Sequence, residues 1–476
     1  MSADSHLERE RKLLGTHEVL EALSGEPLPT RVFTSTYYDT DDRRLLRRGV
    51  TLRRRVENGE SRWQLKLPQA SGRLELESDG DAVPPRELCD LVTALLAGRK
   101  LAPAATLRTR RRGLRVREGD GAADVVADDV TVLDGGHAVD AFGELEVELV
   151  SGSESLLDAL ERRLRHAGAE SGSGEIKLER VLGASPYGQD AAPAKKAPPL
   201  EHLRWRIRTQ LEEIGMHDPG VRLDTDPEEL HDLRVAVRRL RAMLRAARPM
   251  LELEWSEAVR TELGWLGGEL GPLRDADVFL TYLAEQAATV DERDRSALDE
   301  LVGLVERDRE RARERVLRAL RSERYLELLQ QLELAGQAPR VASTSESLRG
   351  IARGEFRKLR KAARRITPAA ADDELHAFRI RGKRARYAAE LASTTAGKRV
   401  RRFLREAKRF QDVSGEHQDA AVAEERLRAL QARGGRGAAF AAGLLLERQR
   451  IRREGSRAAL PRAWRRLDRA GRRAWR

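Results

Sequence analysis

The chain has 476 residues, 40% of them apolar, and a single cysteine, Cys89, which excludes a fold stapled by disulfides or built round a cysteine-ligated zinc. At roughly 100–200 residues per domain this length suggests two to four domains, with enough apolar content for packed cores. The net charge of +11 is uneven: Lys and Arg number 30 against 34 Asp and Glu in residues 1–200, and 59 against 44 in 201–476, so two modules are expected, the second with a polyanionic partner.

The opening MSADSHLERERKLLG has no signal-peptide character, and no apolar run reaches 18 residues, so the expected location is the cytoplasm, without a membrane partner. Within it Glu8, Glu10 and Lys12 share one face of a strand, because side chains alternate along an extended chain. The same alternation groups Arg53 with Arg55, Gln64 with Lys66, Arg73 with Glu75 and Glu77, Arg108 with Arg110, Glu144 with Glu146 and Glu148, and Glu175 with Lys177. Opposite faces are apolar, as in Trp63, Leu65 and Leu67, or Leu145, Val147 and Leu149. Asn58-Gly59 marks a hairpin between two of these strands.

A sheet with one solvated face explains any single strand of this kind. Seven such strands, with long charges of both signs grouped by strand, point instead to a nearly closed barrel whose charged face is internal. A tunnel of that kind must be wet, metal-loaded or filled by a charged ligand. Its carboxylates suit Mg²⁺ or Mn²⁺ and its cations suit phosphate oxygens. A Walker-type loop and an HExxH helix are both missing from the sequence, so the expected chemistry is phosphoryl transfer by positioning and charge neutralisation.

These residues resemble the CYTH superfamily, the triphosphate tunnel metalloenzymes. LERERKLL supplies the ExExK signature, and YYDTDDRRLLRRGVTLRRRVENG, WQLKLP, RLELE, Arg108 with Arg110, Asp128, GELEVELVSG and EIKLERVL follow in family order. The resemblance implies an eight-stranded antiparallel tunnel with outer helices over residues 1–183. It also implies metal binding by Glu8, Glu10, Glu144 and Glu146, with Asp128 and Glu75 as further tunnel acids and Glu148 as an alternative ligand. Arg53, Arg55, Lys66, Arg108, Arg110 and Lys177 would hold phosphates. Glu8, Glu10 and Lys12 form the catalytic signature, Lys12 acting either on phosphate or on the attacking water. Arg9 departs from the apolar residue usual between the signature glutamates and is expected to point outward.

Residues 184–199, rich in proline and alanine, read as a linker. Beyond it, residues 200–476 have the 3.6-residue period of helices and contain a repeat: LHDLRVAVRRLRAML from Leu230 returns as LHAFRIRGKRARYAAEL from Leu375, and LGPLRDADV from Leu270 as SGEHQDAAV from Ser414. A pair of helical bundles with a pseudo-two-fold repeat is expected. His231, Arg234, Arg238, Arg241 and Arg245 share a helical face, echoed by His376, Arg379, Lys383 and Arg386, and two such faces together would form a basic groove. The tail from Arg462 keeps a helical stripe. This part resembles the CHAD domain, a polyphosphate-binding module in which Asp275, Asp277 and Asp419 would orient the groove's arginines.

The combination is similar to bacterial CYTH-CHAD inorganic triphosphatases. It implies Mg²⁺- or Mn²⁺-dependent hydrolysis of tripolyphosphate, long-chain polyphosphate on the helical domain, and association with polyphosphate granules. Adenylate cyclase or another triphosphatase of the superfamily is the alternative, followed by a non-catalytic polyphosphate or nucleic-acid binder. Nucleic acid ranks below polyphosphate, because neither an aromatic platform nor a helix-turn-helix signal accompanies the charge.

Overall fold

The computed structural model describes residues 4–69, 72–171, 176–183, 191–289, 291–342, 347–367, 369–395 and 397–476. The chain divides into two compact units, Met1–Gln189 and Asp190–Arg476.

In the first unit the strands are β1 (Asp4–Glu8), β2 (Glu10–Leu14), β3 (Glu26–Asp39), β4 (Thr51–Glu57), β5 (Glu60–Gln69), β6 (Gly72–Asp79), β7 (Ala102–Glu118), β8 (Gly121–Asp134), β9 (His137–Ser151) and β10 (Glu170–Ser171). They form one antiparallel sheet in the order β1-β6-β5-β4-β3-β7-β8-β9-β2-β10. Its two ends are joined by the chain itself. β1 and β2 are one extended segment interrupted at Arg9: Glu8 sits opposite Arg73 of β6, Glu10 opposite Glu148 of β9, and Leu149 N donates to the Arg9 carbonyl at 2.9 Å. The sheet thereby closes into a tunnel. The expected eight strands become ten because the first is split and β10 adds a two-residue edge.

The helices of this unit are α1 (Arg86–Leu91), α2 (Thr93–Leu96), α3 (Glu154–His166) and α4 (Lys177–Leu182). Leu156, Leu157, Leu160 and Leu164 recur at helical spacing on α3 and pack on Leu13, Val116, Val125, Ala127, Leu145 and Val147 of the sheet's outer face. That contact fixes which residues turn inward. Inside, Tyr37, Leu107, Val130 and Val132 form an apolar plug with Leu46 and with Leu178 of α4. Lys177 therefore opens a helix, whereas a final strand was expected; Glu175 lies outside the described residues. The segment EIKLERVL fits both periods, and the deciding feature is Gly183, whose left-handed φ of +62° ends the helix.

The second unit contains α5 (Pro199–Leu223), α6 (Pro227–Ala246), α7 (Leu253–Ala287), α8 (Arg295–Leu320), α9 (Glu323–Gln337), α10 (Leu348–Ala363), α11 (Asp372–Leu391), α12 (Lys398–Arg433) and α13 (Arg436–Ala474). The sequence repeat falls on α6 and α11, and its second motif on α7 and α12. α6 packs on α7, α11 on α12, and α6 on α11, so the two copies meet through their basic helices. The arginine-rich tail is the end of α13. Among the described residues, no helix is long and apolar enough to cross a membrane.

Glycine permits the close approach of α11 to α12: a β-carbon at Gly382 would collide with the Phe410 ring, which is already wedged against Phe378 at 5.1 Å and Trp464 at 6.3 Å between centroids. Gly382→Ala should destabilise the protein by about 1–3 kcal/mol through overpacking. Gly354→Ala on α10, where a β-carbon meets open space, should stabilise it by about 0.5–1 kcal/mol. Thermal unfolding of the two variants beside the parent checks both signs.

Candidate active site and polyanion groove

The tunnel wall holds acids and cations in alternating contact. Lys66 of β5 places its Nζ 2.6 Å from Glu8 and 3.1 Å from Glu75. Lys12 lies 3.4 Å from Glu146 and 3.5 Å from both Glu10 and Glu144. Lys177, carried in by the Leu178 anchor, lies 2.6 Å from Glu146, 2.8 Å from Asp128 and 3.5 Å from Glu144. Glu8, Glu75, Asp128, Glu144 and Lys177 are all buried. Burial alone would lower the Lys12 ammonium, but Glu10, Glu146 and Glu144 together raise it above the ordinary lysine value. With these carboxylates around it the side chain is held as a cation.

Arg111 of β7 is a tunnel cation that the sequence reading missed. It donates bidentately to Asp128 at 2.7 Å through both Nε and Nη2, and Nη2 also reaches Glu146 at 2.6 Å. Glu146 thus faces three cations, and although burial opposes it, Lys177, Arg111 and Lys12 hold its carboxyl well below the usual range. Arg108 and Arg110, expected at the phosphates, are exposed on the outer face instead. The run RTRRRGLRVR has arginine at both parities; Val116, packed with Leu114 beneath α3, fixes the even positions outward and Arg111 inward. Extending the alternation through those two residues would have found it.

A second group of cations lies on β4. Arg53 donates to Gln64 Oε1 at 2.7 Å and to the Tyr37 hydroxyl at 3.1 Å. Burial opposes it, yet Arg53, Lys177 and Lys12 lower the Tyr37 phenol. Arg55 stacks 3.4 Å over the Phe33 ring, its Nε is 3.5 Å from Glu57, and its buried Nη2 makes no hydrogen bond. Burial, then Arg53, Arg111 and Arg31, depress its guanidinium to about 9, with only Glu57 opposing them. A cation among several others, with Glu57 as its one carboxylate at 3.5 Å, is a place for an anion.

The opposite imbalance occurs at Glu148. Burial and the neighbouring Glu8, partly offset by Lys66 and reinforced by Glu146 and Glu10, push its carboxyl up to about 7. Crowded carboxylates short of positive charge, all hard oxygen donors, fit a divalent cation of the Mg²⁺ or Mn²⁺ type. Among the described residues no three such groups already converge as a metal cluster; lysines stand between them.

In the second unit the repeat is reproduced atom for atom at one contact. Arg234 lies across Gly271 and Arg379 across Gly415, each Nη2 being 3.7 Å from the glycine's would-be β-carbon. Arg234 is 3.6 Å from Asp275, and Arg379 is in the field of Asp419. Arg238 reaches the other copy, donating to the Tyr387 hydroxyl at 3.3 Å. Between them Lys383 is depressed to about 8 by burial and by Arg379 and Arg238, Asp419 opposing and Arg234 adding to them. Arg241 lies against Gly264. Arg386 is tied to Glu390 at 2.7 Å and Gln411 at 2.6 Å. His376 contacts Gln418 at 2.5 Å, and burial with Arg274 lowers His231, favouring neutral imidazole.

Asp277 does not orient the groove. It is buried and pairs with Arg309 of α8 at 2.7 Å; Ala421 stands at the corresponding place in the second copy.

A closed antiparallel tunnel lined by clustered acids and cations defines a triphosphate tunnel enzyme, here joined to a helical repeat domain. Family models agree: the CYTH domain matches residues 6–181 and the CHAD domain residues 206–428. An uncharacterized protein of Mycobacterium tuberculosis, present in two strains, is 34% identical over 483 residues, covering 94% of this chain and 92% of its own length. Among solved structures, the CHAD domain of the plant Ricinus communis is 28% identical with a TM-score of 0.46, covering 60% of this chain and 95% of that one. PptA from Streptomyces chartreusis is 24% identical at 0.45, covering 56% and 100%. The chain belongs to the CYTH-CHAD family, whose CYTH domains depend on divalent metal.

The Glu148 environment gives a pH test. A carboxyl raised in the folded state costs nothing below its ordinary 4.5, and its cost is complete above about 7. Glu148→Gln should therefore match the parent's melting temperature at the acid end and exceed it above neutrality by a few degrees, about 1–2 kcal/mol once partial exposure is discounted. Mn²⁺ added without substrate should stabilise the parent more than the variant.

Proposed function

We propose that the tunnel hydrolyses inorganic tripolyphosphate to pyrophosphate and phosphate with Mg²⁺ or Mn²⁺, and that the α6–α11 groove binds long-chain polyphosphate. The observation that carries the first part is the pair of charge sets on the tunnel wall, clustered buried carboxylates with Lys12, Lys66, Lys177 and Arg111 2.6–3.5 Å from them within one closed sheet. A metal-chelated oligophosphate satisfies both.

Glu8, Glu10, Glu144 and Glu146, with Glu148 beside them, would hold the metal. When bound, it supplies charge neutralisation on phosphate oxygens and a water of lowered pKa. Arg53, Arg55 and Arg111 bind the chain of phosphates and fix its line of attack. Lys12, Lys66 and Lys177 exchange their carboxylate partners for phosphate oxygens, and Lys12, always charged, stabilises the departing anion.

Phosphate release from tripolyphosphate, ATP and thiamine triphosphate, measured side by side, tests the substrate. Tripolyphosphate should be strongly preferred; comparable conversion of ATP to cyclic AMP would replace this reading with a cyclase. Glu8→Gln and Glu146→Gln should each lower turnover by ~100-fold or more while the fold persists.

For the groove, support comes from four cations, Arg234, Arg238, Arg379 and Lys383, drawn from both copies into one field. A bound polyanion must restore the Lys383 ammonium towards its ordinary 10.5. Polyphosphate binding should therefore take up protons between about pH 8 and 10.5, and take up few near neutrality, where Lys383 is already charged. Calorimetry in buffers of different ionisation enthalpy reads this directly, and Lys383→Arg should abolish it. Reversing Arg234 and Arg379 to Glu should abolish polyphosphate binding and spare tripolyphosphate hydrolysis. Equal displacement by duplex DNA at near-physiological salt would mark the groove as a generic polyanion surface.

A further inference from the structure

Two helical segments account for the net charge of the whole chain. Residues 398–409 on α12 contain seven Lys or Arg and one acid, Glu406; residues 462–473 on α13 contain six Arg and one acid, Asp468. Their combined excess of eleven equals the chain's +11. α12 and α13 form a hairpin turning at Gly434 and Gly435, and these segments sit together at its open end.

There they enclose a cavity of about 430 Å³ lined by Arg402, Glu406, Arg409, Arg466, Arg469 and Arg473. Both acids have cationic partners: Glu406 through Oε1 with Arg409 at 2.9 Å, its buried Oε2 making no hydrogen bond, and Asp468 with Arg360 at 3.0 Å and Arg472 at 2.8 Å. Arg402, Arg466, Arg469 and Arg473 have neither an ion pair nor a hydrogen bond among the described residues. Each helix has only one acid among these cations, paired three or four residues along its own helix, and across the cleft Arg402 and Arg409 of α12 stand with Arg466, Arg469 and Arg473 of α13. Aromatic packing steadies the helices beneath, with Phe403 and Trp475 5.5 Å apart and Phe410 and Trp464 6.3 Å apart.

The cleft is not part of the α6–α11 groove. On α12 the side turned to α11 is marked by Gln411, which accepts from Arg386. At roughly 100° per residue, Arg402 and Arg409 stand about 180° and 160° round the helix from it. No aromatic side chain lines the cavity, so nothing offers a base the stacking surface that single-stranded nucleic acid uses. What the lining matches is a compact ligand carrying several phosphate groups, each able to take a guanidinium fork.

We propose that the α12–α13 cleft is a second anion site, separate from the groove, for a compact oligophosphate. The probes are inorganic tripolyphosphate and inositol hexakisphosphate, titrated calorimetrically into the full-length protein in EDTA, which prevents turnover. Replacing Arg402 and Arg469 by Gln, and in a second variant Arg466 and Arg473 by Gln, should each weaken one class of site at least tenfold. Exposed glutamines preserve the helices, which circular dichroism checks. The groove variant carrying Glu at Arg234 and Arg379 should keep that site. Loss confined to tripolyphosphate assigns a condensed phosphate, and loss confined to inositol hexakisphosphate an organic one. Metal-dependent hydrolysis should be unchanged in both cleft variants, so failure of this site and failure of the tunnel reading are read separately. Binding of both probes with parental affinity and stoichiometry in both cleft variants, or displacement by sulfate at equal concentration, would overturn the proposal.

Discussion

Charge neutrality inside a closed sheet is the constraint on which the first unit depends. Two unit charges 4 Å apart interact by about 4 kcal/mol at the effective dielectric of a protein surface, and an unpaired buried charge costs several kcal/mol. The tunnel therefore cannot stand with its acids bare. Lys12, Lys66, Lys177 and Arg111 occupy the carboxylates that would otherwise repel one another. On the proposed reading a metal-oligophosphate complex would enter by exchange, the carboxylates holding the metal and the released cations the phosphates, with the number of paired charges preserved. Such an exchange would cost far less than desolvating either set alone, and Glu148, crowded by Glu8, Glu146 and Glu10, marks where the internal pairing leaves a deficit.

That arrangement rests on elements with no charge at all. α3 fixes the parity of β7, β8 and β9 by burying one apolar face, and a slip of one residue would turn every tunnel charge to the outside. The plug of Tyr37, Leu107, Val130, Val132 and Leu178 positions α4, and with it Lys177. The charged tunnel wall is thus held in register by apolar contacts.

Alternation along the strands made most of this legible in the sequence, since Lys66, Glu144 and Glu146 sit in strands with apolar residues at the other parity, and Leu7, Leu13, Leu52 and Val56 give the phase for Glu8, Glu10 and Arg53. Where both parities carry arginine, as in residues 108–112, a local pattern has no phase, and only the packing of Leu114 and Val116 supplies one. The helix at Lys177 escaped for a related reason, because six residues satisfy either period. The break at Arg9 is a consequence of closure, in which one strand must serve two partners, and pairing partners are not written in the strand itself. In the helical unit the repeat located both basic faces. It could not reveal that Asp277 serves α8, because that partner, Arg309, lies outside either motif.

On the proposed reading the two units would handle phosphate with different balances of charge, and the difference bears on what each could accept. The tunnel carries acids and cations in comparable number, so a bare polyanion would satisfy its arginines and leave its carboxylates repelled; it suits a ligand that arrives with metal. The groove has few acids near its cations, and Lys383 is depressed because compensation is missing. A bare chain of phosphates supplies it without any metal, whereas a chelated ligand would bring charge the groove cannot use. On the proposed reading, metal occupancy of the phosphate would therefore sort ligands between the two units, and free divalent cation would shift the same polyphosphate from groove to tunnel without any conformational change in either.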